Sequence, residues 1–317
     1  MSKPCFNIAS VEREVGLSKD VLRVWERRYG FPAPERDANG ERLYPLKQVE
    51  RLRLIKRLMD QGHRPGRLIA APASELGALL SPPLRGVSSD AAANVVEEME
   101  DLLVLVRQHD ATGFSQAMQQ RLARQGLQRF VQDTVAPLTH KVGTAWEQGR
   151  IEIFEEHLFT ELIKRVLRQA ISAVPGGREP RILLTSLPDE PHALGLLMVE
   201  AMLVPEGAHC IPLGTQMPLL EIAQAAQAHR ADVVALSFSA AFPSRQIPAL
   251  LQQLRGVMGR AVELWAGGSG MRRSAPLNGV RRVASLSDAV TALAEWRGTR
   301  SKVLSTISPA GAKGSKP

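Results

Sequence analysis

The chain has 317 residues, with 40 Lys and Arg against 32 Asp and Glu, a formal net charge of +8, and 44% hydrophobic but only 4% aromatic residues. That is the composition of a globular protein of two or three domains, not of a disordered or fibrous one. It excludes a membrane span, for which a run of roughly eighteen apolar residues is needed. It also excludes a disulfide scaffold or a cysteine-rich zinc site, since Cys5 and Cys210 are the only cysteines. The start has no apolar leader core, so the cytoplasm is the expected compartment.

The positive charge is concentrated. Residues 1–70 hold fifteen Lys and Arg against nine Asp and Glu. Phosphate is the natural partner of such a segment, because binding releases counterions.

Taken in order, residues 1–72 read as short helices, a hairpin and a longer helix. Ile8, Val11 and Val15 recur at helical spacing up to Gly16. Ser18 is placed to cap a second helix in which Val21, Trp25 and Tyr29 share one face. Arg23 and Arg27 share another, one turn apart, beside Lys19 and Arg28. Asn39-Gly40 is a two-residue hairpin signal between Arg36 and Arg42. A helix from about Leu46 to Gln61 would turn Val49, Leu52, Ile55 and Met59 inward and Arg51, Arg53, Lys56 and Arg57 outward.

Residues 73–92, rich in Ala, Pro, Ser and Gly, read as a linker. Residues 93–175 carry only helical spacing, in Val95–Gln108, Ala111–Arg124, Leu127–Glu147 and Phe154–Ala173, and predict a four-helix bundle. Residues 180–297 change period. Short apolar runs at Ile182–Ser186, Cys210–Gly214, Val233–Ser239, Val262–Gly268 and Val280–Val283 alternate with amphipathic stretches His192–Val204, Leu219–His229, Ser244–Met258 and Asp288–Trp296. This predicts a doubly wound α/β domain with a parallel sheet, whose ligands bind at the carboxyl ends of the strands. Residues 298–317 read as a disordered basic tail.

Two short helices joined at a glycine and followed by a basic hairpin form a winged helix-turn-helix, whose second helix would enter the major groove. The runs Val21-Leu22-Arg23-Val24-Trp25-Glu26-Arg27 and Glu41-Arg42-Leu43-Tyr44 resemble the DNA-binding domain of the MerR family. The resemblance implies dimers on promoter DNA, with Lys19, Arg23, Arg27, Arg28, Arg36, Arg42 and Tyr44 as the contacts. It implies that wing residues Arg42 and Tyr44 hold phosphates. Such contacts position a protein rather than read bases.

The second motif follows the first strand of the α/β region. In Glu190-Pro191-His192-Ala193-Leu194-Gly195, a histidine at a strand end has an acid two residues before it and a glycine one turn later. The acid can orient the imidazole through its other ring nitrogen. With Ser237 at the end of another strand and Gly267-Gly268 after the next, this pattern resembles the cobalamin-binding, Rossmann-like fold. The resemblance makes His192 the lower ligand of cobalt and Glu190 its partner. Gly195, Ser237, Gly267 and Gly268 would line the slot for the nucleotide tail. The acid is Glu rather than the commoner Asp, and Ser239 stands where Leu is usual.

The third motif is in the bundle, where Trp146 is followed after nine residues by Glu156-His157. This resembles light-sensing MerR-type regulators that bind adenosylcobalamin, the CarH/LitR group. It implies that Trp146, Glu156 and His157 cover the upper, adenosyl side of the cofactor. The whole reading is then a non-enzymatic repressor that assembles as a homo-dimer or tetramer and leaves DNA when light breaks the cobalt–carbon bond. One departure is Glu147, where members of this group carry a histidine able to take the upper position after light. His140 or His157 remain as substitutes. Two alternatives stay open at this stage: a MerR-type regulator with a vestigial cobalamin fold under control of a partner protein, and a corrinoid methyl-transfer module. No phosphate-loop or nucleophile-elbow motif is present.

Overall fold

A computed structural model describes residues 5–60, 63–72, 75–76 and 90–307. Most of the predicted linker and the final ten residues of the predicted tail lie outside the described residues. The chain divides into two compact units, residues 1–95 with 142–153 and residues 96–141 with 154–317.

The head of the first unit runs β1 (Cys5–Asn7), α1 (Ile8–Val15), α2 (Lys19–Tyr29), β2 (Glu35–Arg36), β3 (Arg42–Pro45), α3 (Leu46–Asp60) and α4 (Pro65–Ala70). The Asn7 side chain caps α1 and Ser18 caps α2, each accepting a backbone N–H three residues on. Gly16 and Gly30 end these helices in the left-handed conformation, which costs glycine least. Val11, Val15, Leu22, Trp25, Tyr44, Val49, Leu52, Ile55 and Leu58 make the core.

Three details differ from the sequence reading. The β1 strand, too short for a periodic signal, pairs antiparallel with β3, giving the order β1-β3-β2. The hairpin is longer than two residues. Arg36 faces Arg42, Asp37 N–H donates to the Glu41 carbonyl, and Gly40 sits at φ +78. This is the three-residue loop with a glycine bulge, because the Asp37 carboxylate accepts the Asn39 and Glu41 N–H groups and draws the loop around itself. Finally, Arg51 is not turned outward. Its guanidinium donates to the carbonyls of Ile69 (3.0 Å) and Ala71 (2.9 Å) and lies over the Phe31 ring. It satisfies the carbonyl end of α4, which has no helical partner for them.

The second unit begins with helices. They are α5 (Asp90–Arg107), α6 (Ala111–Gln125), a turn at Leu127–Arg129, a π-helical stretch Phe130–Val135, α7 (Ala136–Glu147) and α8 (Ile153–Ser172). The ends of α5 and α7 belong to the first unit. The predicted helix Leu127–Glu147 therefore contains a wider turn, which brings Phe130, Val131, Thr134 and Val135 all to the buried side.

The sheet holds β4 (Arg181–Thr185), β5 (His209–Gly214), β6 (Val233–Ser237), β7 (Glu263–Gly267) and β8 (Val280–Val283), all parallel, in the order β5-β4-β6-β7-β8. Its helices are α9 (Leu194–Leu203), α10 (Leu219–Ala228), α11 (Ile247–Val257) and α12 (Leu286–Ile307). Alternate strand residues face opposite cores. Leu183, Val234, Leu236 and Leu264 pack with Ile222, Ile247 and Leu251 from α10 and α11. Ile182, Leu184, Ala235 and Trp265 pack with Leu196, Leu203, Ala289 and Leu293 from α9 and α12. Burial on both faces accounts for the near-continuous apolar runs.

Strand order reverses at β4, so the carboxyl ends of β4 and β6 frame the crevice where ligands enter such sheets. The last helix is longer than predicted. It starts at a reciprocal cap between Ser285 and Asp288 and continues through residues read as tail, to Ile307.

Replacing Arg51 with Ala leaves two carbonyls without a donor. Unfolding of the head by urea should then show a loss of about 1–3 kcal/mol. Arg53→Ala, which removes only a partly exposed pair with Glu14, should cost under about 1 kcal/mol. Equal losses would mean that Arg51 does not hold α4.

Candidate functional site

The segment after β4 is built around a buried acid. Glu190 is only 1% exposed. Its Oε1 accepts the Nδ1 of His192 at 2.6 Å and the His192 backbone N–H at 3.1 Å, and its Oε2 accepts the Ser239 N–H at 2.6 Å. One carboxylate thus ties the loop after β4 to the loop after β6. Ser186 secures the same loop, donating its hydroxyl to the Glu190 carbonyl (2.5 Å) and accepting the Gln216 N–H (2.9 Å). Asp189 takes a φ of +67 to make the turn. The α9 helix begins two residues after His192, not at it, and the His192 backbone N–H is taken by Glu190 instead.

The electrostatics follow. Burial pushes the Glu190 pKa up, but hydrogen bonds from His192 and Ser239 outweigh it and leave the carboxyl below its ordinary range. The Glu190 hydrogen bond raises His192 above the ordinary imidazole value, with burial opposing and the charges of Glu190 and Glu156 adding to it. His192 is 55% exposed at its side chain. With Nδ1 committed to Glu190, Nε2 is the nitrogen left to bind a ligand.

Beside this loop is a cavity of ≈ 350 Å³. Gly195, Ser237, Gly267 and Gly268 line it, so the structure brings together all four residues predicted for the tail slot. At Gly267 and Gly268 a larger residue would meet backbone, and at Gly195 it would displace the Ser237 hydroxyl. A Cβ on Gly195 would stand 2.4 Å from Ser237 Oγ, one on Gly267 2.7 Å from the Val283 carbonyl, and one on Gly268, at φ +95, 2.3 Å from the Phe238 carbonyl. Trp265, Arg272 and Ser285 also line the cavity. Sequence reasoning missed them, although Trp265 lies only two residues before Gly267 on a strand read for its apolar character alone.

In α8, Glu156 is half-buried and accepts the Thr160 hydroxyl at 2.8 Å. Its charge acts on His192. The next residue, His157, is exposed, as is His140 on α7. Trp146 lies half-buried near the end of α7, in the part of the chain that belongs to the first unit.

In the head, Arg23, Arg27, Arg28 and Arg36 are exposed, while Lys19 is half-buried beside Glu12. Arg42 is not free. Its Nε donates to Glu26 Oε2 at 2.8 Å, joining wing to α2. Tyr44 departs from its predicted place at the surface. Its ring is fully buried in the head core, its hydroxyl has no partner, and burial raises its pKa. Alternation along β3 puts Tyr44 on the face opposite Leu43, toward α1 and α3.

Comparison with known proteins matches these pieces. The MerR HTH family regulatory protein pattern covers residues 6–68, and two B12 binding domain patterns cover residues 98–171 and 180–280. Over 275 residues the chain is 29% identical to the HTH-type transcriptional repressor CarH of Myxococcus xanthus, spanning 86% of this chain and 91% of the relative. It is 29% identical to the repressor CarA of the same organism over 250 residues, 77% and 80% of the two chains. A monomethylamine corrinoid protein from Methanosarcina barkeri shares the fold of 63% of this chain and 98% of its own, with a TM-score of 0.51 at 15% identity. The chain thus carries a MerR-type helix-turn-helix pattern followed by two B12 binding domain patterns. Relatives matched over most of its length are transcriptional repressors, not enzymes. No helix among the described residues is long and apolar enough to cross a membrane.

The residues present fit a cobalamin. A half-exposed imidazole is oriented through Nδ1, and a glycine-walled cavity starts one turn later. In the protein without cofactor, the His192 imidazole should titrate above the ordinary histidine range by NMR. Glu190→Gln should bring it down, and an unchanged titration would refute the pairing. The raised His192 pKa contributes stability in full below the ordinary imidazole value, and that is lost as pH rises through the raised one. The lowered Glu190 pKa contributes above the ordinary carboxylate value, lost as pH falls through the lowered one. Binding at Nε2 needs the neutral ring, so a ligand taken there should bind more weakly as pH falls through the raised pKa.

Proposed function

We propose that this regulator is a cytoplasmic, light-responsive repressor that takes adenosylcobalamin as its cofactor and binds promoter DNA as a homo-oligomer, dimer or tetramer. The observation that carries the reading is the His192–Glu190–Ser239 arrangement, with a glycine-walled cavity lined from Gly195 onward, in a chain that also has a MerR-type head. When bound, adenosylcobalamin supplies a cobalt–carbon bond that light breaks.

The chain's part is to hold and to report. His192 Nε2 would hold the cobalt, while Glu190 keeps that ring in one tautomer and raises its basicity. Trp146, Glu156 and His157 cover the upper side. Glu156 already bears electrostatically on His192, which supports its facing the cofactor. Trp146 would pack against the adenosyl side of the cofactor, and a change there would shift the assembly that this packing favours. Glu147 places a carboxylate, not an imidazole, after Trp146, so the state after light forms without a second histidine from that position. Arg23, Arg27, Arg28 and Arg36 supply the exposed positive face for phosphate, and Lys19 and Arg42 flank it.

The test is a gel-shift on the promoter DNA with adenosylcobalamin, run in the dark and after green light. A complex found only in the dark supports the reading. A complex indifferent to cofactor and light overturns it and leaves a regulator controlled by a partner protein. In the same assay His192→Ala should abolish the cofactor-dependent complex, while Arg23→Ala should weaken DNA binding and leave cofactor uptake intact. Trp146→Ala should keep cobalamin but lower the mass of the dark assembly by light scattering; an unaltered mass would remove Trp146 from the capping role.

A further inference from the structure

The cavity beside His192 has a polarity gradient. Its buried lining is apolar throughout: Leu184, Ala235, Trp265, Ala266 and Ala289 among others. Its exposed rim is formed by Gly268, Ser269, Arg272, Ala284 and Ser285, and carries all of its charge and its hydroxyls Ser269 and Ser285. Arg272 is the one charged residue among those that line it.

The placement of Arg272 is fixed by construction. It lies on the 3-10 segment Ser269–Arg273 that follows Gly268. Gly270 N–H donates to the Phe238 carbonyl at 3.0 Å and anchors the start of that segment. The Arg282 guanidinium braces the other end, donating to the carbonyls of Arg272 (3.1 Å) and Ser274 (3.3 Å). Arg272 itself is exposed. A second cation thus stands behind the first, and no carboxylate is among the lining residues.

An occupant of such a cavity is apolar at one end and anionic where it meets the rim. The nucleotide tail of a complete cobalamin has this order: an aromatic base, a ribose, then a phosphodiester that leads back to the corrin ring. Resting on the cobalamin reading above, we infer that Arg272 pairs with the tail phosphodiester and makes the site select complete cobalamins over tail-free corrinoids. A charge-assisted contact at a rim is worth little in bulk water but more beside an apolar wall that excludes water. The apolar lining places the base, and Arg272 sets how strongly an anionic tail is preferred.

The experiment is a dark absorbance titration of the full chain with adenosylcobalamin and with adenosylcobinamide, which lacks the phosphodiester, ribose and base. Wild type, Arg272→Ala and Arg272→Lys are compared. Arg272→Ala is expected to weaken adenosylcobalamin roughly five- to tenfold and to leave adenosylcobinamide unchanged, with Arg272→Lys between. Added salt should weaken adenosylcobalamin binding to wild type more than to Arg272→Ala. An equal loss for both corrinoids, or no loss for adenosylcobalamin, overturns the inference, as does a wild type that prefers neither. Thermal melting without cofactor checks that the variants fold. The titration reads uptake in the dark only, so loss of the light response would leave its result intact, and the two readings fail separately.

Discussion

The buried carboxylate of Glu190 is the constraint on which the ligand end of the sheet depends. A charge with 1% exposure survives there only because every side of it is answered. It receives one imidazole and two backbone N–H groups, from both sides of the point where strand order reverses. The arrangement converts a flexible loop histidine into a ring with one free nitrogen. It also explains how glutamate can stand where aspartate is commoner. The longer side chain spans from its own backbone loop to Ser239, which contributes through its N–H and so does not require the leucine side chain usual at that position.

A second consequence of the topology is that cavity and ligand loop are a few residues apart on the same elements. The β4 strand leads into His192, and Gly195 opens α9 and forms the cavity wall with Ser237. The β7 strand supplies Trp265 to the lining and Gly267 and Gly268 to the wall. The oriented histidine and the cavity are therefore not separate inventions. They are successive residues at the carboxyl ends of parallel strands, where a doubly wound sheet leaves its opening.

The sequence made some of this legible and hid the rest for physical reasons. Ser18, Gly16 and Gly30 mark helix ends because caps are local, and the change in period at residue 180 marks the sheet because burial on two faces is written into each strand. The His192 and glycine motifs mark the cavity because at Gly267 and Gly268 a side chain would meet backbone. Tertiary partners were not legible. Arg51 reads as surface until Ile69 and Ala71 present their carbonyls to it. Tyr44 reads as a phosphate contact until strand alternation turns it inward. The β1 strand has too few residues to show a period. The π-helical stretch at Phe130–Val135 reads as α-helix because its buried pairs also fit a helical face.

The ion pair between Arg42 and Glu26 bears on how the head sees salt. A guanidinium already matched to a carboxylate adds little net field and binds few counterions of its own. The long-range attraction of the head for a polyanion is therefore carried by Arg27, Arg28 and Arg36, with Arg23 partly matched by the exposed Asp20, while Arg42 acts as a mechanical tie between wing and α2. Ionic strength would then govern how fast the head finds a duplex, and the tie would govern whether wing and helix arrive in register.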